Sequence, residues 1–240
     1  MKDLKMQEQN LQNVFTQQQS VLASSYASCM MVVRLILGAI CTKNIMIAAA
    51  EFLFLSVLTL LVPLTIAADV LIIGNRMGET SLTELAQEGL LILTALFFAS
   101  GVKRYPQSRG FLMLMAGFFV CVFIRELDGF LDKLLFHGSW VWLSLITAGG
   151  VIAYAKKCQE TIFTPMSDFV RTRPYYFVLF GMIAIMVLSR TLGSGDLLWK
   201  RIITDGNCSL VKTVIQEGIE FFGYILICYG AFLFRYRRED

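Results

Sequence analysis

The sequence predicts an all-α integral membrane protein, a polytopic bundle of six transmembrane helices with a seventh as an alternative. Both chain ends are expected on the cytoplasmic side. Three observations predict this. The 240-residue chain is 56% hydrophobic with a mean hydropathy of +0.64, too apolar for a soluble domain of this size. Its apolar residues gather into stretches near the roughly 20 residues that a helix needs to cross a hydrocarbon core. Its basic residues recur in alternate connections between those stretches.

Residues 1–44 are set apart from a six-helix transmembrane domain over 45–240. Residues 1–27 are polar and glutamine-rich, and Leu4, Leu11, Val14, Phe15, Val21 and Leu22 would form one apolar stripe on a helix. Such a stripe suits a membrane interface or a partner. Residues 29–41 are apolar but carry Arg34 and are too short to span alone. Extended back to Val21, they would make the seventh crossing. A start of translation at Met46 is a further alternative, because residues 46–58 read as the beginning of a first membrane helix.

The six expected spans are Met46–Ile73, Leu82–Ser100, Gly110–Phe130, Gly138–Ala155, Tyr175–Thr191 and Leu210–Phe234. Pro63 falls inside the first, where it removes a backbone hydrogen bond and favours a kink. Ser81, Thr83 and Glu84 form a capping-box pattern that fixes the start of the second. Lys43 precedes the first span; Lys103, Arg104 and Arg109 separate the second from the third. Lys156, Lys157, Arg171 and Arg173 lie between the fourth and fifth, and Arg235, Arg237 and Arg238 end the chain. These groups share one side, which the positive-inside rule makes cytoplasmic. Residues 74–81, 131–137 and 192–209 then face outward. No cleavable secretion signal is evident, and a cell membrane, plasma or bacterial inner, is the expected location.

Charge within the spans carries the functional reading. The uninterrupted apolar runs, Gly89–Val102, Phe111–Ile124, Tyr175–Ser189 and Phe221–Phe234, are each shorter than a span. Polar residues complete them, always at the outward end. Glu84, Gln87 and Glu88 do so in the second span and Arg125, Glu126 and Asp128 in the third. Arg190 does so in the fifth and Glu217 and Glu220 in the sixth, with Asp69 the equivalent in the first. A charge at mid-bilayer costs about 2.5–3.5 kcal/mol on insertion scales, so such groups face a bundle interior or a wet cavity and pair there. The two arginines are expected to bridge to carboxylates of the second and sixth spans.

Glu88, Arg125, Glu126, Asp128, Arg190, Glu217 and Glu220 are therefore the candidate ligand-binding residues. They would form an outward-facing polar vestibule, transporter-like or ligand-binding, able to hold an anionic lipid head group, a small solute or a cation. The competing reading is interhelical glue in a structural or assembly subunit, since hydrogen bonds between membrane helices fix packing without any ligand. For Glu84, capping or snorkelling to the interface explains the charge better. Gln87-Glu88-Gly89 recurs as Gln216-Glu217-Gly218 at the outward end of the sixth span, a pattern that suits duplicated helices with a site between them.

A third reading uses the stretch from Arg125 to His137. If it continues the third helix, Arg125, Asp128 and Asp132 share a face, and Asp128, Asp132 and His137 could serve a membrane-embedded lipid hydrolase or transferase. An interfacial helix end anchored by Trp140 and Trp142 accounts for the same residues. Other chemistries have less support. Six scattered cysteines without a CxxC pair and a single histidine argue against a disulfide framework, zinc or haem, so no cofactor is expected. A net charge of +3 without basic clusters among aromatics gives nucleic acid no footing. The sequon Asn207-Cys208-Ser209 is as short as a chance match. The expected partners are the bilayer, a second copy of the chain or the other subunits of a membrane complex.

Overall fold

A computed structural model describes residues 25–35, 38, 43–74, 81–194, 199 and 208–236. Among them the chain is helical and contains no strand. It divides into two compact units, Met1–Val57 and Leu58–Asp240. In the first unit, residues 25–35 form α1, whose side chains are all exposed. Of the seventh crossing, from Val21 to residue 41, residues 25–35 and 38 are described and are helical, and the rest lies outside the described residues, as does most of the apolar stripe of 1–27.

Helix α2 (Lys43–Ala67) holds Pro63 and runs into a π-helical turn, Ala68–Ile73, which ends at Gly74 in the left-handed conformation (φ 68°). Helix α3 (Leu82–Arg104) begins where the capping pattern places it, with the Ser81 hydroxyl accepting from the Glu84 amide at 3.1 Å. Two further free amides of that first turn, those of Leu82 and Thr83, donate to the carboxylate of Asp69 at 2.7 and 2.9 Å. The Thr83 hydroxyl donates to it as well, at 2.7 Å. Asp69 is fully buried. It is thus a capping group for α3 supplied from 13 residues upstream, and it does not join the polar cluster described below.

Helix α4 (Arg109–Glu126) is shorter than expected. The third span does not continue to Phe130: Leu127 takes a turn conformation, and a seven-residue helix, α5 (Asp128–Leu134), starts after it. Helix α6 (Ser139–Lys157) is bent from α5 by 111°. The short α7 (Phe163–Val170) has a strongly apolar face, as a helix lying along an interface requires. Helix α8 spans Arg173–Leu192, with a π-helical turn over Ala184–Ser189. Helix α9 (Cys208–Arg235) has 28 residues, about 42 Å of helix.

Five of these elements are long and apolar enough to cross a membrane: Asn44–Ile73, Leu82–Arg104, Pro106–Glu126, Arg173–Leu192 and Cys208–Arg235. The bent pair α5 and α6 would make a sixth if it counts as one span. Helix α9 is central, with 56% of its most apolar window buried, against a third or less in the others. The core joins Leu91 and Phe98 of α3, Phe111, Leu112 and Phe119 of α4, and Tyr224 and Ile227 of α9. The close crossing of α8 and α9 depends on two glycines. A Cβ on Gly181 would stand 2.6 Å from the Gly223 carbonyl oxygen, so the backbones meet where a side chain would separate them.

Candidate functional site

Four helices bring polar residues together at the end of the bundle where α3 begins and α4 and α8 finish. Helix α9 supplies Glu217, Glu220 and Tyr224, spaced by three and four residues and so on one helical face. Each carboxylate meets a different neighbour. Gln87 of α3 donates from Nε2 to Glu217 Oε2 at 3.1 Å and to the Glu217 backbone oxygen at 3.1 Å. Ser189 of α8 donates to Glu220 Oε1 at 2.6 Å, and Gln216 of α9 donates to the same oxygen at 3.3 Å. The Tyr224 hydroxyl donates to Glu126 Oε1 of α4 at 3.0 Å. Glu88 lies within electrostatic reach of Glu126, and Glu126 and Glu217 each lie within reach of Glu220.

The arginines are held more loosely. Arg190 Nη2 stands 3.7 Å from Glu220 Oε1, an ion pair too long for a hydrogen bond. Arg125 does not bridge to the second or sixth span as expected. Its Nη1 donates at 2.7 Å to Glu126, its own sequence neighbour. The physical reason is position: Arg125 ends α4 on an exposed face, where the adjacent carboxylate is the nearest anion. The side chains of Arg125 and Arg190 are 43% and 49% exposed, whereas those of Glu126 and Glu220 are 17% and 5% exposed. Carboxylates point into the bundle and guanidinium groups face out of it.

Below the arginines lies a cavity of about 270 Å³ between α4, α8 and α9. Its rim holds Arg125, Glu126, Arg190 and the Tyr224 ring; its walls are Phe118, Phe119, Val122, Met182, Ile185, Met186 and Ile227. Phe118 and Met182 precede the two arginines by seven and eight residues, two helical turns or about 10–12 Å. The cavity is therefore amphipathic along its length, with two arginines and a glutamate at the helix ends and apolar residues beneath.

Of the candidate residues, Glu88, Arg125, Glu126, Arg190, Glu217 and Glu220 come together. Asp128 does not. The break at Leu127 carries it onto α5, where it is exposed and accepts from the Gly129 amide at 2.6 Å. Asp132 and His137 likewise bond locally. His137 Nδ1 lies 2.6 Å from Asp132 Oδ2, the Gly138 amide donates to Asp132 Oδ1 at 2.8 Å, and the His137 side chain is 98% exposed. Together they close the turn between α5 and α6. Among the described residues no three His, Cys, Asp or Glu side chains are placed to hold a metal. Ser189 and Tyr224 escaped the sequence reading because neutral residues inside apolar runs give no charge signal. Tyr224 could have been found from its place four residues after Glu220 on the same face.

These features define a class of all-α protein with several bilayer-length apolar helices, four of which share a cluster of carboxylates and arginines at one end. No narrower identity follows from comparison, because the chain matches no family model, no curated protein and no solved structure.

Proposed function

We propose that the protein is a multi-pass membrane protein of the plasma or bacterial inner membrane, with both ends cytoplasmic, that binds a ligand in an outward-facing charged pocket. It would act as a transporter-like or ligand-binding component. The observation that carries this reading is the division of labour within the cluster. Gln87, Ser189 and Tyr224 occupy the carboxylates of Glu217, Glu220 and Glu126. Arg125 spends one hydrogen bond on Glu126, and Arg190 makes only a long ion pair. A guanidinium carries five N–H donors, so most of this donor capacity faces the cavity rim and its surroundings.

The test is to purify the full chain in lipid nanodiscs and identify bound molecules by mass spectrometry, comparing wild type with R125Q/R190Q. A molecule retained by the wild type and lost from a folded double variant supports the reading. Equal retention by both, or no retained molecule, defeats it.

A second reading, a structural or assembly subunit working in a membrane complex or a homo-oligomer, draws support from the same hydrogen bonds. The Gln87–Glu217, Ser189–Glu220 and Tyr224–Glu126 contacts each tie α9 to a different helix and need no ligand. On that reading R125A lowers stability and nothing is lost from the bound fraction.

A further inference from the structure

We propose that the occupant of the cavity between α4, α8 and α9 is a membrane lipid with an anionic head group. Its phosphate would sit at Arg125 and Arg190, with the upper part of one acyl chain beneath. This rests on the ligand-binding reading above and names the class of ligand. Three observations converge on it.

The first is the order of chemistry along the cavity. Two half-exposed guanidinium groups stand at the helix ends, and Val122, Met182 and Ile185 line the space below them. Planar forks of N–H donors match the oxygens of a phosphate, and the ends of membrane helices are the depth at which head groups lie. A water-soluble anion would use the arginines and leave the apolar floor without a purpose.

The second is size. Ligand sites for drug-sized molecules run from about 300 to 1,000 Å³. At about 270 Å³ the cavity is too small for a whole phospholipid and suits a length of one chain, the remainder of the molecule staying in the bilayer. Unbranched methionine side chains such as Met182 and Met186 adapt to a flexible chain.

The third is access. Phe118 on α4 and Met186 on α8 line the cavity and are 45% and 65% exposed, so its side wall is open on the surface that bilayer-crossing helices turn to lipid. A ligand can enter sideways without leaving the membrane. Of the nearby carboxylates, Glu220 is 4% exposed and faces Ser189 and Gln216, and Glu217 faces Gln87. Glu126 shares the rim and is engaged by Arg125 at 2.7 Å and by the Tyr224 hydroxyl at 3.0 Å, so an anion there uses the guanidinium donors that Glu126 leaves free.

The test uses the full chain in nanodiscs containing phosphatidylglycerol or phosphatidylcholine, with retained lipid counted by native mass spectrometry. Thermal shift with inorganic phosphate runs in parallel. Wild type should retain phosphatidylglycerol in preference to phosphatidylcholine. Each of R125Q and R190Q should weaken that retention about 10-fold, the value of one charge-assisted hydrogen bond. M186W, which narrows the side opening, should weaken lipid retention and leave any phosphate response unchanged.

Phosphatidylglycerol retained equally by R125Q/R190Q, or no preference over phosphatidylcholine, overturns the lipid proposal. If phosphate then still gives an arginine-dependent shift, the lipid proposal fails and the ligand-binding reading survives. If neither probe depends on the arginines, both fall. Should the double variant not fold, R125Q alone decides, because Arg125 is 43% exposed and its hydrogen bond among the described residues is to its neighbour Glu126, and unchanged retention there overturns the proposal.

Discussion

Replacing Asp69 with alanine tests a concentrated polar contact between the end of α2 and the start of α3. Its buried carboxylate accepts from the Leu82 amide, the Thr83 amide and the Thr83 hydroxyl at 2.7, 2.9 and 2.7 Å. Hydrogen bonds to a charged group contribute about 1.5–3 kcal/mol each, and an N-cap lost to alanine costs about 0.5–2 kcal/mol. The three bonds share one acceptor and are not additive, so D69A is expected to lower stability by about 3–4 kcal/mol. Part of that loss comes from Thr83, which is itself fully buried and would be left with donors unanswered. Removing the Thr83 hydroxyl should make the aspartate matter less. A cycle of D69A, T83V and the double variant should then show a coupling of about 1 kcal/mol or more. D69N keeps one acceptor oxygen and should cost about half as much as D69A. The assay is unfolding in mixed micelles followed by circular dichroism. At about 2–4 °C per kcal/mol for a chain of this size, D69A should melt roughly 6–16 °C below wild type. A loss under 1 kcal/mol, or additivity with T83V, would refute the view that Asp69 ties the end of α2 to the start of α3.

Other substitutions probe the packing and the site. G181A should cost about 1–3 kcal/mol, because its Cβ would meet the Gly223 carbonyl and push α8 from α9; a melting temperature equal to wild type would deny that close crossing. Y224F removes the donor to Glu126 and should cost about 1 kcal/mol, and a cycle with E126Q should show the two to be coupled. E217Q preserves shape and leaves an oxygen for Gln87, so it should stay within about 1 kcal/mol of wild type in stability and, because Glu217 does not line the cavity, leave ligand retention unchanged. Reduced retention would place Glu217 in contact with the ligand. H137A should leave stability within about 0.5 kcal/mol, since the ring is 98% exposed, and an effect above 2 kcal/mol would show a contact beyond Asp132.

The apolar length that a bilayer demands of a crossing helix makes part of this protein readable from its sequence. A segment that crosses hydrocarbon must be apolar for about 20 residues and must satisfy its own backbone groups, so the starts and lengths of the apolar helices follow from hydropathy and capping signals. The start of α3 after Ser81 and the long α9 agree with the spans read from the residues alone. So does the gathering of Glu88, Glu126, Arg190, Glu217 and Glu220 at one end, because charges at the same end of neighbouring apolar helices are brought side by side when the helices pack.

Which group meets which was decided by tertiary structure. Helices α3 and α4 are apolar on nearly every side, so periodicity does not say which face looks inward; lipid and protein interior are alike to it. Rotation and crossing angle set the pairs, and these come from shape, as where Gly181 lets α8 approach Gly223. Along the same pair of helices Ser189 reaches Glu220. The break at Leu127, which carries Asp128 onto α5, was equally hidden, as was the 111° bend between α5 and α6. Sequence determined at which end of its apolar run each of these charges stands, because a helix able to cross a bilayer needs one apolar length. Structure decided their partners because partnership depends on how helices turn about axes that an all-round apolar surface leaves free.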